Sequence, residues 1–312
     1  MIYHLPERCL IKISGEDAEA FLQSLVTQDM SGLEAFTSPL GEGGAHALAW
    51  EGEGTPFSES PATSPKYPHL PADSGGPLPL PKERKSNLIY ACLLTPQGRF
   101  LHDFFISREE GAFFLECEIE RREDLLRRLK VFKLRSKVMI EDCSAAFAVY
   151  TGMTGKYRDP RLAALGYRSY LPVGEITEAA SAVAYKDHRI HLGVPEGSID
   201  IKPEVDTLAD ANLDKLHAVS WDKGCFVGQE VAARMENRAL VKKRMVIVSG
   251  SGLAAGASLN QNDSAVGEIR SVNTTQTEGL AILKLAALQE SSPITQPDGA
   301  VIEAHLPAWL KI

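Results

Sequence analysis

The chain has 312 residues, 44% hydrophobic and 24% charged, with a formal net charge of −8. This is the balance of a soluble globular protein with room for two or three domains, and the acidic total argues against nucleic acid as the main partner, because that binding rests on neutralising phosphates. No apolar run approaches the ~18 residues a membrane span needs, and the start, MIYHLPERCLIKISG, lacks the basic stretch and apolar core of a secretory signal.

In chain order, Ser14 to Thr27 (SGEDAEAFLQSLVT) is expected to open as a helix. Ser14 caps it, Asp17 holds the capping-box position, and Phe21, Leu22, Leu25 and Val26 form one apolar face. Ile11 and Ile13 before it alternate as in a strand. Between Thr55 and Lys82 lie eight of the eighteen prolines, amid serine and glycine, a composition that builds neither ladder nor helix. About Ser38 to Ser86 is therefore expected as an irregular surface insertion, a tolerated loop rather than a proline-rich docking segment.

Regular structure resumes at Asn87. LIYACLLT, FLHDFFI and AFFLECE are strand-length apolar runs, and Pro96-Gln97-Gly98 turns between the first two. ERREDLLRRLKVFKLR follows as a helix with Leu125, Leu126, Leu129 and Phe132 on one side, then KVMIED and AFAVYT as strands. The cations crowded between Arg121 and Lys137 read as a solvated helix face in so acidic a chain. Strand runs broken by single helices make an α+β pattern, a sheet with helices on one face. VAARMENR has helical spacing. After Ala239, KRMVIVSG, SAVGEIRS, GLAILKL and AVIEAHL are short runs separated by Gly, Asn, Ser and Pro, as in a small all-β domain. The expected division is residues 1–238, interrupted at about 38–86, and residues 239–312.

The candidate chemistry centres on WDKGCFVGQE, Trp221 to Glu230. The five cysteines, Cys9, Cys92, Cys117, Cys143 and Cys225, contain no Cys-x-x-Cys pair. That suggests a reducing compartment and no metal site built from closely spaced thiolates of this chain alone. The first four lie in or beside apolar stretches and read as core filler. Cys225 has two readings: a thiolate favoured by Lys223 and a helix start near Gly228, or a small hydrophobe wedged under a turn. Gly224 and Gly228 mark a backbone that bends sharply or approaches something closely. The Gln229 amide and Glu230 carboxylate suit a flat heterocycle such as a pterin, although Glu230 also fits a first helical turn and Arg234 stands at the spacing to pair with it. In FLHDFFI, His102 and Asp103 face opposite sides; one can enter a cleft, and edge exposure accounts for the pair equally well.

GEDAEAFLQSLVTQD, LLTPQGRFLHDFFI, RIHLGVPEG and above all DKGCFVGQEVAARMENR resemble the YgfZ family of folate-binding proteins, relatives of the T-protein (aminomethyltransferase) of the glycine cleavage system. The Lys-Gly-Cys-aromatic-x-Gly-Gln-Glu string is that family's signature, and the matches frame nearly the whole chain except the insertion. The resemblance implies a ring of α+β modules closed by a C-terminal β-barrel, with tetrahydrofolate in a central cleft. It implies help in assembling or repairing iron–sulfur clusters in client enzymes, a tRNA-modifying one among them. Carried over by motif, Cys225 and Lys223 are the catalytic candidates, and Asp103, Gly224, Gly228, Gln229, Glu230 and Arg234 the folate-binding ones. Aminomethyltransferases carry paired acids where this chain has His102-Asp103, which counts against T-protein chemistry; a folate-dependent aminomethyl or one-carbon transferase is the alternative. The implied partners are folate and iron–sulfur client or assembly proteins, with no direct nucleic acid and no membrane. A bacterial cytoplasm is the expected compartment.

Overall fold

Strands β1 (Ile2–His4) and β2 (Arg8–Ser14) and helix α1 (Ala18–Leu25) open the chain. They are followed by β3 (Leu88–Leu94), β4 (Phe100–Glu109), β5 (Ala112–Glu118), α2 (Arg122–Lys133), β6 (Met139–Asp142), β7 (Phe147–Gly152), β8 (Tyr157–Arg158) and β9 (Tyr167–Pro172). Helices α3 (Val183–His191), α4 (Gly197–Asp200) and α5 (Gln229–Asn237) come next. The last strands are β10 (Lys243–Ser249), β11 (Ser258–Gln261), β12 (Ser264–Val272), β13 (Glu278–Lys284), β14 (Ile294–Thr295) and β15 (Val301–His305). This is a computed structural model, and it describes residues 1–35, 86–237 and 241–311. The expected insertion lies outside the described residues except for Ser86, which bridges to Leu33.

A five-stranded antiparallel sheet runs in the order β3-β4-β5-β2-β6. Both its faces are covered, which is why its strands read as near-continuous apolar runs. On one face Ile11, Ile13, Phe104, Ile106 and Leu115 meet Phe21, Leu22 and Leu25 of α1 and Leu125 and Leu129 of α2. The other face, with Leu10, Tyr90, Cys92 and Phe105, enters a central core shared with Val149, Tyr170, Tyr185, Ile190, Leu213, Met245, Ile247 and Trp309. A second sheet runs β1-β7-β9-β8, and β10-β13-β12-β11-β14-β15 close a barrel. Alternation along β10 decides the barrel's role. Val246 and Val248 fill its interior, while Met245 and Ile247 point out into the central core.

The helix expected from Ser14 begins only at Ala18. Ser14 ends β2, and the Asp17 carboxylate accepts the Lys137 backbone N–H at 2.7 Å instead of capping. In α2, Leu125 and Leu129 are buried as expected, but Phe132 is exposed.

Candidate functional site

The motif from Trp221 to Glu230 forms a loop that runs into α5. Lys223 turns inward. Its Nζ donates to the backbone carbonyls of Gln23, Val26 and Gln28 at 2.9, 2.6 and 2.9 Å. These carbonyls lie at and just past the C-terminal end of α1, where such groups lack intrahelical partners and cations are favoured. An ammonium has three donors, and all three are used. Burial pulls the Lys223 ammonium down to about 8, with Asp29 opposing. Lys223 is thus an anchor: its three N–H donors are committed to the carbonyls at the end of α1, and none is left for the Cys225 sulfur.

Anchoring leaves the next two residues outside. A side chain built on Gly224 would meet no atom within 4 Å, and Cys225 is exposed. Cys9, Cys92 and Cys117 are buried and Cys143 is intermediate, so Cys225 is the presented thiol and not a hydrophobe under a turn. Phe226 turns back in, its ring 5.6 Å from Lys223 Nζ.

Gly228 has φ +83°, and a Cβ there would stand 2.5 Å from Thr95 O and 3.1 Å from Gly98 Cα. The glycine lets the motif lie directly against the turn between β3 and β4, a backbone-packing role that needs no ligand. The Gln229 N–H donates to Phe226 O at 3.2 Å. Glu230 and Arg234 pair with each other at 2.7 Å, with side chains 84% and 54% exposed. They form a solvated i,i+4 pair on α5.

Asp103 lies in a different compartment. The β3–β4 ladder shifts register between Leu93, opposite His102, and Leu94, opposite Phe100. This bulge at Leu101 is confined to the start of β4, and from His102 on the sides alternate regularly with Phe104 on one face and Phe105 on the other. His102 faces the helices and Asp103 the central core, so neither is exposed at an edge. His102 Nε2 bonds Asp124 Oδ2 at 2.8 Å; burial, helped by Arg121 and Arg128, pushes its pKa down to about 4. Asp103 accepts from the Tyr90 hydroxyl at 3.0 Å and lies 3.9 Å from Arg8 Nη1.

Around Asp103 extends a buried ionic network. Arg8 pairs with Glu116 at 2.9 Å, Arg168 with Glu116 and Asp159, Arg161 with Asp159 at 2.9 Å, and Arg189 with Glu196 at 3.2 Å and Asp200 at 2.6 Å. The guanidiniums of Arg168, Arg161 and Arg8 lie 3.9, 4.8 and 5.8 Å from the Phe105 ring centroid. Burial pushes the Asp159 carboxyl up, but Arg161 and Arg168 outweigh it and hold the group below the usual range. Sequence reasoning missed this network because its members come from five strands and helices with no common spacing. The available signal was a charge inside an apolar run, as with Glu116 in AFFLECE.

A folate would enter beside Asp103. The chemistry is of the right kind, since Glu116 Oε2, Glu196 Oε1 and Asp200 Oδ1 are buried oxygens without a hydrogen bond and suit the N–H donors of a pterin. Those carboxylates are not free, however. Arg161 and Arg168 are fully buried, and the carboxylates already face guanidiniums. A folate would have to displace some of these contacts to reach the oxygens.

Residues 242–312 match the family model described as CAF17, C-terminal beta-barrel domain. The chain is 29% identical over 286 residues to the iron-sulfur cluster assembly factor IBA57 homolog, mitochondrial, of Mycosarcoma maydis, covering 84% of this chain and 60% of that relative. It is 34% identical over 181 residues to the Pyricularia oryzae homolog of the same name, covering 50% of this chain and 46% of the relative. It is 27% identical to iron-sulfur cluster assembly factor IBA57, mitochondrial, of Homo sapiens, covering 98% of this chain and 84% of that protein. The chain therefore spans about half to three fifths of the length of the two fungal relatives. Among solved structures, the glycine cleavage system aminomethyltransferase T from Bartonella henselae matches with a TM-score of 0.69 at 14% identity, over 99% of this chain and 86% of that one. The fold is that of aminomethyltransferase T, as expected, with a closed six-strand C-terminal barrel. The cytoplasmic expectation is corrected: these fungal and human relatives are all named mitochondrial.

Proposed function

We propose that this chain is a mitochondrial iron–sulfur cluster assembly factor whose working group is the Cys225 thiol. The observation that carries the reading is the placement of that thiol. It is exposed, on a loop tied to α1 through Lys223 and fitted to the β3–β4 turn through Gly228, in a chain whose relatives are named iron–sulfur cluster assembly factors. Thiolate is a soft ligand suited to iron–sulfur clusters. Among the described residues, no group of three or more His, Cys, Asp or Glu could hold a metal ion. A cluster reaching Cys225 is therefore cargo that takes its other ligands from a partner. Cys225 supplies one bond, and Lys223 supplies its position.

The test is complementation in cells lacking their own factor, read as the activity of iron–sulfur enzymes. Cys225→Ser should fail while Cys143→Ser succeeds, with both proteins present at normal levels. Full rescue by Cys225→Ala sinks the reading.

Tetrahydrofolate is a separate proposal. It is supported by the fold and by the unsatisfied oxygens near Asp103, and it requires the Arg8–Asp103 contact to open. A dose-dependent rise in unfolding midpoint with tetrahydrofolate, absent in Asp103→Asn, would support it; no heat and no shift would end it. Aminomethyl transfer has no observation of its own in its favour, since the single acid Asp103 is engaged by Tyr90 and Arg8.

A further inference from the structure

The C-terminal end of helix α2 carries apolar side chains that the sheet does not cover. Leu125 and Leu129 are buried against the sheet. Elsewhere on the helix and just past its end, Val131, Phe132, Leu134 and Met139 are 63, 38, 87 and 58% exposed. Four of the eleven exposed large hydrophobics among the described residues thus fall within nine consecutive positions. Scattered single ones would be ordinary; a cluster is not. Cations frame it: Lys130, Lys133 and Arg135 form no ion pair with any described residue, and Lys137 pairs with Glu16 at 2.7 Å. A shallow depression of about 490 Å³, lined by Glu123, Leu126, Arg127, Lys130 and Val131, runs along the same helix.

Leu134 adds a second kind of observation. Its φ of 45° and ψ of −109° lie near the first central position of a type II′ turn, where glycine is the usual residue. The Ser136 N–H closes that turn on Lys133 O at 2.8 Å. A leucine is held in a conformation that L side chains avoid, with nearly all of its surface in water. Neither feature helps the isolated chain fold, and strain of this kind gathers at functional surfaces. Val227, two residues past Cys225, packs on the same apolar layer as α2.

We propose that the C-terminal end of α2 is a docking surface for an acidic amphipathic helix of a partner protein. Apolar side chains of that helix cover Val131, Phe132, Leu134 and Met139, and its carboxylates meet Lys130, Lys133 and Arg135. Charge favours a short protein segment over an anionic membrane. The whole chain carries −8, and exposed Glu16, Glu123 and Glu141 flank the patch. An extended anionic surface would meet all three carboxylates, whereas a short helix over the end of α2 keeps its own carboxylates beside Lys130, Lys133 and Arg135. The depression receives side chains, which a lipid surface does not require.

The experiment titrates the full-length protein against a synthetic helical peptide with leucines on one face and glutamates beside them, by fluorescence anisotropy. Binding should saturate, weaken with added salt, and fall about tenfold when the glutamates become glutamines. Leu134→Gly and the pair Lys130→Glu with Arg135→Glu should each weaken it by about tenfold, while Cys225→Ser leaves it unchanged. Leu134→Gly suits the turn, so its thermal midpoint should hold or rise as binding falls, separating lost contact from lost fold. The proposal is overturned if the peptide does not bind, or if these variants bind it as wild type does. It is overturned equally if phosphatidylglycerol vesicles, and not the peptide, lose their hold on the same variants.

Discussion

Cys225 and Lys223 sit two positions apart and do different work. Native protein treated with iodoacetamide should take up label rapidly at Cys225, with Cys9, Cys92 and Cys117 reacting only after unfolding; mass spectrometry of peptides reads the sites. Lys223→Met leaves three carbonyls near the end of α1 without their donor, and should cost about 3 kcal/mol in denaturant unfolding. Its partners lie 195 to 200 positions away, so no local pattern could announce the anchor, whereas the signature string itself was legible because it is contiguous. His102 makes a pH prediction. Burial lowers its pKa from 6.5 to about 4. Between those values the unfolded chain binds a proton that the folded chain refuses. Stability from this group is complete above about pH 6.5 and falls as the pH drops towards 4, by up to about 3 kcal/mol. His102→Gln, which keeps a donor for Asp124, should flatten that part of the stability profile; an unchanged slope would show that His102 is not its source.

Among elements, the glycines of one short motif give opposite expectations. Gly228→Ala forces a Cβ to within 2.5 Å of Thr95 O at a positive φ and should destabilise by roughly 2–4 kcal/mol. Gly224→Ala meets nothing within 4 Å and should stay within about 0.5 kcal/mol of wild type. Paired thermal and denaturant melts check both. The long strands were legible in the sequence because burial on both faces leaves unbroken apolar runs, as in LIYACLL of β3. Two-residue strands such as β8 and β14 carry no such run. The bulge at Leu101 was also hidden, since it depends on pairing with β3; that Asp103 and not His102 faces the central core follows from regular alternation with Phe104 and Phe105. The ion pair of Glu230 with Arg234 was legible as an i,i+4 spacing, and that bland reading is the one the geometry bears out.

At the scale of the whole molecule, the barrel and the rest of the chain share one core. Met245, Ile247, Leu280 and Ile282 of the barrel wall pack with Ile190, Val194, Leu213 and Leu216. The change of texture after Ala239 was visible in the sequence, but this shared core was not, because alternation in a strand says that two faces exist and not what each will meet. Differential scanning calorimetry should show one cooperative transition, and a chain ending before β10 should expose that face and aggregate; two separable transitions would refute the shared core. Trp309 extends the point. Its indole N–H donates to Leu192 O at 2.6 Å, and its ring and Leu310 lie in the central core. Trp309 and Leu310 therefore complete the centre of the molecule only after every strand and helix described above has been synthesised. Until they emerge the central core lacks these two side chains, and a nascent chain at that stage should need chaperones to stay soluble. Nascent chains stalled short of Trp309 should be digested by protease at concentrations that spare those released with it.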